Sequence, residues 1–178
     1  FDNRLSADLS AFVNDYDDLR SAQRDATLFP GPYVLQTVIP NNRVKARAHG
    51  LELAVDWTPL PGWRLQPGYT LLRVHGTARS ADPIDQMNAR YFTTSAPRQQ
   101  LSLRSSWTLD RRQNVDLWLR HVSALGDAGQ IGNRIPAYNT LDLRYAWRPI
   151  PDLELSVTGQ NLLQRRHAEY VADFLPAE

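Results

Sequence analysis

The stretch that decides the fold is Leu153-Glu154-Leu155-Ser156-Val157-Thr158-Gly159-Gln160. Apolar and polar side chains alternate along it as far as Gly159, which places them on opposite faces of a β-strand. Other segments alternate in the same way, strongly or weakly, at 5–13, 51–57, 63–74, 100–107, 115–122 and 141–147. The sequence therefore predicts about seven strands, each with one apolar and one polar face.

The connections between these segments alternate between short and long. The short ones are 58–62, 110–114 and 148–152, and the long ones run over about 17–33, 76–97, 125–136 and 163 onward. The short ones are rich in residues that end strands, such as Pro, Gly, Asp and Asn. Short periplasmic turns at one rim and long extracellular loops at the other are typical of outer-membrane barrels. The prediction is an all-β, antiparallel, up-and-down transmembrane β-barrel segment of about seven strands.

Tryptophan placement supports the same interpretation. Four of the five tryptophans lie at strand ends beside a short turn and share the parity of the apolar face: Trp57, Trp63, Trp107 and Trp147. An indole ring is favoured where hydrocarbon meets headgroups, so these four are predicted to form a periplasmic aromatic girdle. The alternative is that they cap the core of a soluble sheet.

The other face of the strands carries charges of both signs. Its candidate lumen-facing residues are Glu52, Asp56, Arg64, Arg104, Arg120, Asp142, Arg144 and Glu154. An arginine at the bilayer midplane costs roughly 2–4 kcal/mol, so this face is not expected to meet hydrocarbon. It is predicted to line a wide, wet lumen or to flank a plug domain, and the solvated face of a soluble sheet is the alternative.

Pairing across the short turns can also be predicted. Trp57 is expected opposite Trp63 at the first turn, and Trp147 opposite Leu153 at the third. Both pairings would bring opposite charges together on the polar face, which stabilises antiparallel neighbours.

Composition excludes several classes of protein. The 20 basic and 19 acidic residues give a net charge of +1, which does not point to nucleic acid. The chain has no cysteine, which excludes disulfides and thiolate metal sites. No apolar run approaches the roughly 18 residues that a membrane helix needs. A mean hydropathy of -0.46 is compatible with a barrel, because only every second residue of a barrel strand faces lipid.

No catalytic, cofactor or metal site is predicted, and the chain is not expected to be an enzyme. Its four histidines lie in different segments without metal-ligand spacing, and it has no phosphate-binding glycine loop or nucleophile elbow. The long loops offer weak candidates for ligand contact, namely His75, Tyr91, Phe92 and Tyr170.

Several motifs carry a family resemblance through their order and spacing. They are Arg47-Ala48-His49-Gly50-Leu51-Glu52-Leu53, Trp63-Arg64-Leu65-Gln66-Pro67-Gly68-Tyr69-Thr70, Ile135-Pro136-Ala137-Tyr138-Asn139-Thr140-Leu141-Asp142 and Gly159-Gln160-Asn161-Leu162-Leu163. Together they resemble the later barrel strands of TonB-dependent outer-membrane receptors, over nearly the whole chain.

The resemblance implies a barrel of about 22 strands around an N-terminal plug, in the Gram-negative outer membrane. It implies uptake of a scarce nutrient or metal chelate, such as a ferric siderophore, haem or cobalamin, energised through the TonB complex. The expected partners are outer-membrane lipid, the plug domain, TonB and the ligand, but no nucleic acid and no cofactor. Residues 1–178 are expected to be one partial C-terminal barrel domain that begins inside a longer protein and lacks the plug and the last strand.

Two other functions stay open on the sequence. One is a small eight-stranded outer-membrane barrel with a structural or adhesion role. The other is a soluble β-sandwich that binds carbohydrate.

Overall fold

Alternating segments of the chain do form extended strands, which pair with their neighbours in sequence. The computed structural model describes residues 4–28, 31–32, 35–128, 133–164 and 166–169. The elements in chain order are β1 (Leu5–Leu28), β2 (Leu35–Leu60), β3 (Trp63–Ala78), α1 (Pro83–Thr94), β4 (Gln99–Thr108), β5 (Gln113–Val122), β6 (Leu125–Ala128), β7 (Asn133–Ile135), β8 (Tyr138–Ile150) and β9 (Leu153–Gly159).

One antiparallel sheet holds seven of these strands, in the order β1-β2-β3-β4-β5-β8-β9. Strands β6 and β7 form a separate two-stranded hairpin in the connection between β5 and β8. Within the described residues β1 and β9 do not pair with each other, so the sheet is open. The predicted all-β, antiparallel, up-and-down architecture is confirmed, with two edges to which further strands could pair.

The first two strands are much longer than predicted. Strand β1 has 24 residues and β2 has 26, so most of the loop expected at 17–33 is strand. The β1–β2 pairing shifts register after Tyr16, and Asp18 takes a φ of 56° there. A bulge bends a strand and breaks its alternation without ending its pairing. The alternation of apolar and polar residues therefore ends at this point, although the strand continues.

The predicted register at the first short turn is wrong by two residues. Trp57 lies opposite Leu65 rather than Trp63, and after an irregularity Leu60 pairs with Trp63. Strand β2 therefore runs on to Leu60, and Gly62 completes a tight turn with a φ of 81°. A left-handed φ of this kind favours glycine because it has no Cβ.

The predicted register at the third short turn is also wrong by two residues. Trp147 lies opposite Leu155 rather than Leu153, and Ile150 pairs with Leu153. Here too the strand continues past the tryptophan, so the turn contains fewer residues than the predicted connection 148–152.

Two long connections contain secondary structure that the sequence pattern did not predict. Helix α1 occupies most of 76–97, and the β6–β7 hairpin occupies part of 125–136. The part of the chain that the structure describes has no helix long and apolar enough to cross a membrane.

The apolar face of the sheet is exposed. Leu9 is 72 % exposed, Val13 66 % and Val157 74 %, whereas the buried apolar side chains are few and mostly small. Monomeric soluble proteins rarely expose a continuous apolar surface of this extent. In a soluble sandwich this face would pack against a second sheet. Among the described residues the only other sheet is the short β6–β7 pair, which contacts α1 and not the seven-stranded sheet. The face therefore needs lipid or another apolar cover.

Candidate functional site

The polar face of the sheet brings together all eight residues that the sequence assigned to a lumen. We call this face the polar wall: Glu52, Asp56, Arg64, Arg104, Arg120, Asp142, Arg144 and Glu154. The strand register places them opposite the apolar face, as in the cross-strand row Ser10, Glu52, Thr70 and Gln100. A hollow of about 430 Å³ lies over the middle of the wall and is lined by Glu52 and Arg120, among others. The wall is thus one continuous surface that can face water or a polar partner.

Near the first short turn, the polar wall neutralises its own charges. Arg64 Nε donates to Asp56 Oδ1 at 2.9 Å, and Gln66 Nε2 donates to Asp56 Oδ2 at 3.2 Å. Asp56 and Arg64 are diagonal neighbours in the observed register rather than direct partners. Their side chains are 35 % and 57 % exposed, so the pair contributes little to stability because solvent screens the two charges.

A second group of charges lies near the third short turn. Arg144 Nη2 donates to Glu154 Oε1 at 2.6 Å, and its Nη1 lies 3.6 Å from Asp116 Oδ2. Arg148 Nε donates to the other oxygen of Glu154 at 2.7 Å. Asp116 and Arg148 both share the parity of the polar wall, as the alternation in the sequence predicts. At this rim the charges are matched within the wall itself.

Two charged residues of the polar wall have no polar side-chain contact among the described residues. Glu52 and Arg104 form no side-chain hydrogen bond or ion pair with any residue that the structure describes. They lie on β2 and β4, on either side of β3. They are free to meet a partner in front of the wall.

The fifth tryptophan lies on the polar wall rather than in the girdle. The guanidinium of Arg120 lies over the Trp118 ring, 4.8 Å from its centroid, and Arg120 Nε donates to Thr140 Oγ1 at 3.1 Å. Such a cation–π contact holds the arginine in one position and is worth about 0.5–1 kcal/mol at an exposed site. The even parity of Trp118, shared with Asp116 and Arg120, was the signal for this placement.

The four tryptophans of the predicted girdle lie on the apolar face beside the short turns. Trp63 and Trp107 face each other across β3 and β4 with ring centroids 5.6 Å apart. Trp63 Nε1 donates to Ser105 Oγ at 3.0 Å, which satisfies its polar atom. Trp57 and Trp147 are exposed on the same face. Their arrangement suits an interface that is apolar on one side and wet on the other.

Helix α1 covers the far end of the polar wall, where β1, β2 and β3 extend beyond the other strands. The helix begins after Asp82, whose carboxylate accepts a hydrogen bond from the Ile84 N–H at 2.9 Å. Thr93 Oγ1 accepts from the Gly76 N–H at 2.8 Å. Strand β4 pairs with β3 only as far as Leu71, so this N–H belongs to an uncovered strand edge that the helix satisfies.

A buried carboxylate ties α1 to the strands beneath it. Asp85 is fully buried, accepts from Ser21 Oγ at 2.6 Å and also accepts from Ser80 Oγ. Asn88 Nδ2 donates to Ser21 Oγ at 3.0 Å. Burial raises the pKa of Asp85, but the two hydroxyl donors and the charge of Arg43 outweigh it, so the pKa lies below its usual 3.8. The charged form of Asp85 therefore favours the docked helix.

The weak candidates for ligand contact do not lie together. Tyr91 and Phe92 belong to the last turns of α1 and meet edge to face, with ring centroids 6.0 Å apart. His75 lies inside β3 rather than in the connection, and it is opposite Arg47 on the outward face. Tyr170 lies outside the described residues. Among the described residues, no group of three or more His, Asp or Glu side chains could hold a metal ion.

Several known proteins are similar to this chain. A family model described as TonB dependent receptor-like, beta-barrel matches residues 1–162. The pesticin receptor of Yersinia pestis is 28 % identical over 150 residues, which is 83 % of this chain and 21 % of that receptor. The chain thus spans about a fifth of the length of the curated relatives that it matches.

Solved structures agree on the fold. The siderophore receptor PiuA from Acinetobacter baumannii superposes with a TM-score of 0.71 at 18 % identity, covering 94 % of this chain and 23 % of PiuA. The ferric-catecholate import receptor Fiu from K12 E. coli gives a TM-score of 0.64 at 19 % identity, covering 90 % of this chain and 21 % of Fiu. At these identities the similarities concern the fold of the seven-stranded sheet alone.

Proposed function

Because the chain belongs to the TonB-dependent receptor β-barrel family, we propose that residues 1–178 form part of the C-terminal barrel wall of an outer-membrane nutrient receptor. The observation that carries this proposal is that the sheet has one apolar face and one charged face. An exposed apolar face, which includes Leu9 and Val157, backs directly onto the charged polar wall. Such a sheet suits a position between lipid and a wet lumen.

The orientation follows from the ends of the strands. The short turns and the girdle of Trp57, Trp63, Trp107 and Trp147 would lie at the periplasmic rim. The extended ends of β1, β2 and β3, with α1 docked on them, would then project from the cell surface. A membrane strand needs only about 9–11 residues, so more than half of β1 would stand above the bilayer.

The polar wall would face the plug domain. Charges near the short turns are matched within the wall, so a plug could move past them without leaving ions unpaired. Glu52 and Arg104, which have no partner among the described residues, are the best placed for direct contact with the plug. In this mechanism the TonB complex drives rearrangement of the plug, and the wall supplies a rigid, wet surface.

The ligand would be a scarce nutrient or metal chelate. Of the classes that we considered, a ferric siderophore is favoured over haem and cobalamin because the similar proteins include a siderophore receptor and a ferric-catecholate import receptor. Helix α1 would present Tyr91 and Phe92 at the extracellular end, next to the loop that contains β6 and β7. The buried Asp85 contacts would hold that surface in place.

The other two functions are less consistent with these observations. The exposed apolar face argues against a soluble carbohydrate-binding sandwich, whose apolar faces pack against each other. The family match over residues 1–162 favours a receptor over an eight-stranded structural barrel.

Iron uptake by cells that express the full-length receptor tests the proposal. We expect a ferric catecholate to support growth under iron limitation in cells with TonB and not in matched cells that lack TonB. The purified receptor should need detergent and show a heat-dependent shift in gel mobility. A water-soluble protein without that shift would contradict the barrel, and growth independent of TonB would contradict the mechanism.

A further inference from the structure

The outward face of the sheet changes character part of the way along β2 and β3. From Trp57 the outward residues of β2 are apolar as far as Leu51, and those of β3 are apolar from Leu65 to Leu71. Beyond these points the outward residues are basic as far as Lys45 on β2 and His75 on β3. The register pairs His49 with Arg73 and Arg47 with His75. We call this surface the outer basic patch, and it consists of Lys45, Arg47, His49, Arg73 and His75, all of them exposed.

The patch keeps an excess of positive charge after its ion pairs are counted. Asp15 accepts from Arg47 at 2.6 Å and 3.1 Å and is also the acidic neighbour of Lys45. Arg73 forms no ion pair with any residue that the structure describes. Asp17 also lines this surface and, with Asp18, is paired with Arg79. Lys45, Arg47, Arg73 and Arg79 thus carry four positive charges against the three carboxylates of Asp15, Asp17 and Asp18, before any histidine is protonated.

The depth of the patch coincides with the edge of the apolar band. Ten residues separate Trp57 from Arg47 along β2, without a register shift against β3 between Val44 and Ala54. A strand rises about 3.3 Å per residue, and a tilt of about 40° reduces this to about 2.5 Å along the membrane normal. Arg47 would therefore lie about 25 Å above the girdle, which is the height of a barrel's apolar band.

Two adjoining depressions lie on this outward face. The lower one, about 380 Å³, is mostly apolar and is lined by Ala11, Val13, Leu51 and Leu71, with His49 and Arg73 at its rim. The upper one, about 480 Å³, is polar, and its charged and titratable lining residues are Asp15, Asp17, Lys45, Arg47 and His75. The small side chain of Ala11 leaves the lower groove open. The pair has the shape and polarity of a site for an acyl chain below a charged headgroup.

We propose that the outer basic patch binds the phosphate groups of acidic lipids in the outer leaflet, with an acyl chain in the groove below. The inference rests on the proposed function, because it requires the apolar face to meet lipid. An imported ligand in the lumen would be on the opposite side of the sheet from these side chains. Basic residues at a membrane surface attract anionic headgroups, and each contributes to binding.

Lipid retention by the full-length receptor tests the inference. The probes are lipid A with two phosphates, the same lipid with one phosphate, and phosphatidylcholine, each added to the detergent-purified receptor and counted by native mass spectrometry. We expect the receptor to prefer the diphosphorylated lipid. The variant K45Q/R73Q should bind it about tenfold more weakly and lose the preference. The matched control is R111Q/R112Q, which removes two positive charges from a short turn at the opposite rim.

The outcomes separate this inference from the proposed function. If K45Q/R73Q keeps its heat-dependent gel shift but retains the diphosphorylated lipid like the wild type, the patch is not a phosphate site and the barrel stands. If K45Q/R73Q and R111Q/R112Q lose the same amount of diphosphorylated lipid, binding depends only on the total charge of the receptor. That result also overturns the inference. A wild-type receptor without a gel shift would overturn both.

Discussion

Gly76 lies so close to the backbone of Ala89 that a Cβ atom on Gly76 would be 2.1 Å from the Ala89 carbonyl oxygen. Gly76 belongs to β3 and Ala89 to α1, so this approach sets how closely the helix packs on the strands. The Gly76 N–H also donates to Thr93 on the same helix. Helix α1 is therefore packed closely on the extended strand ends beneath it.

Gly76→Ala should displace α1. No atom near the new methyl group can rotate away, because the clash is with backbone, and overpacking of this kind costs about 1–3 kcal/mol. Hydrogen exchange in the full-length receptor should become faster over 83–94 and stay unchanged in β8. Thr77→Ala, at the neighbouring outward position, is the control. Unchanged protection of 83–94 in Gly76→Ala would mean that the close packing is not present in solution.

Docking of α1 should depend on pH through Asp85. Its folded pKa lies below the value of 3.8 in the unfolded state, so it stabilises the docked helix above about pH 4. That contribution is lost as the pH falls through the folded pKa. The distance between spin labels on α1 and β2 should therefore be short at neutral pH and broaden under strong acid.

Asp85→Asn removes the titrating group and should leave the label distance broader at neutral pH, with little further change in acid. Asp152→Asn, in the third short turn, is the control and should behave like the wild type. A wild-type distance that does not respond to acid would contradict the role of Asp85.

The ion pair between Asp56 and Arg64 should contribute little to stability despite its short contacts. Both side chains are partly exposed, and solvent screening leaves pairs of this kind with little net stabilisation. A double-mutant cycle with Asp56→Asn and Arg64→Gln, read out as the free energy of unfolding in detergent, should give a coupling energy that does not exceed the error of the measurement. A coupling energy clearly above that error would show that the polar wall is drier than its exposure indicates.

The sequence predicted the seven strands of the sheet because a period of two survives wherever one face is apolar. The prediction of strands failed where the two faces no longer differ in polarity. Beyond Tyr16 the outward residues are charged, and the bulge at Asp18 shifts the phase, so the strand extension looked like a loop. The registers at the turns failed because bulges depend on backbone hydrogen bonds that side-chain patterns do not reveal.

The polar wall was predictable residue by residue, but its helical cover was not. A signal was present, since Asp82-Pro83-Ile84-Asp85 is typical of a helix N-terminus. The contact that seats the helix could not be read from sequence, because Ser21 and Asp85 are 64 positions apart. Asp85 lies within the connection 76–97, and only the fold shows that its carboxylate is buried.

The central claim is that one face of this sheet meets lipid and the other meets water, and neighbouring residues of β4 test it directly. Leu101 lies on the apolar face and Ser102 on the polar wall, and the chain has no cysteine of its own. Single cysteines at these positions, in a full-length receptor without other cysteines, would carry an environment-sensitive fluorophore in reconstituted membranes. We expect brominated lipids to quench the label at Leu101 strongly and the label at Ser102 weakly. Equal quenching at both positions, or stronger quenching at Ser102, would contradict the account.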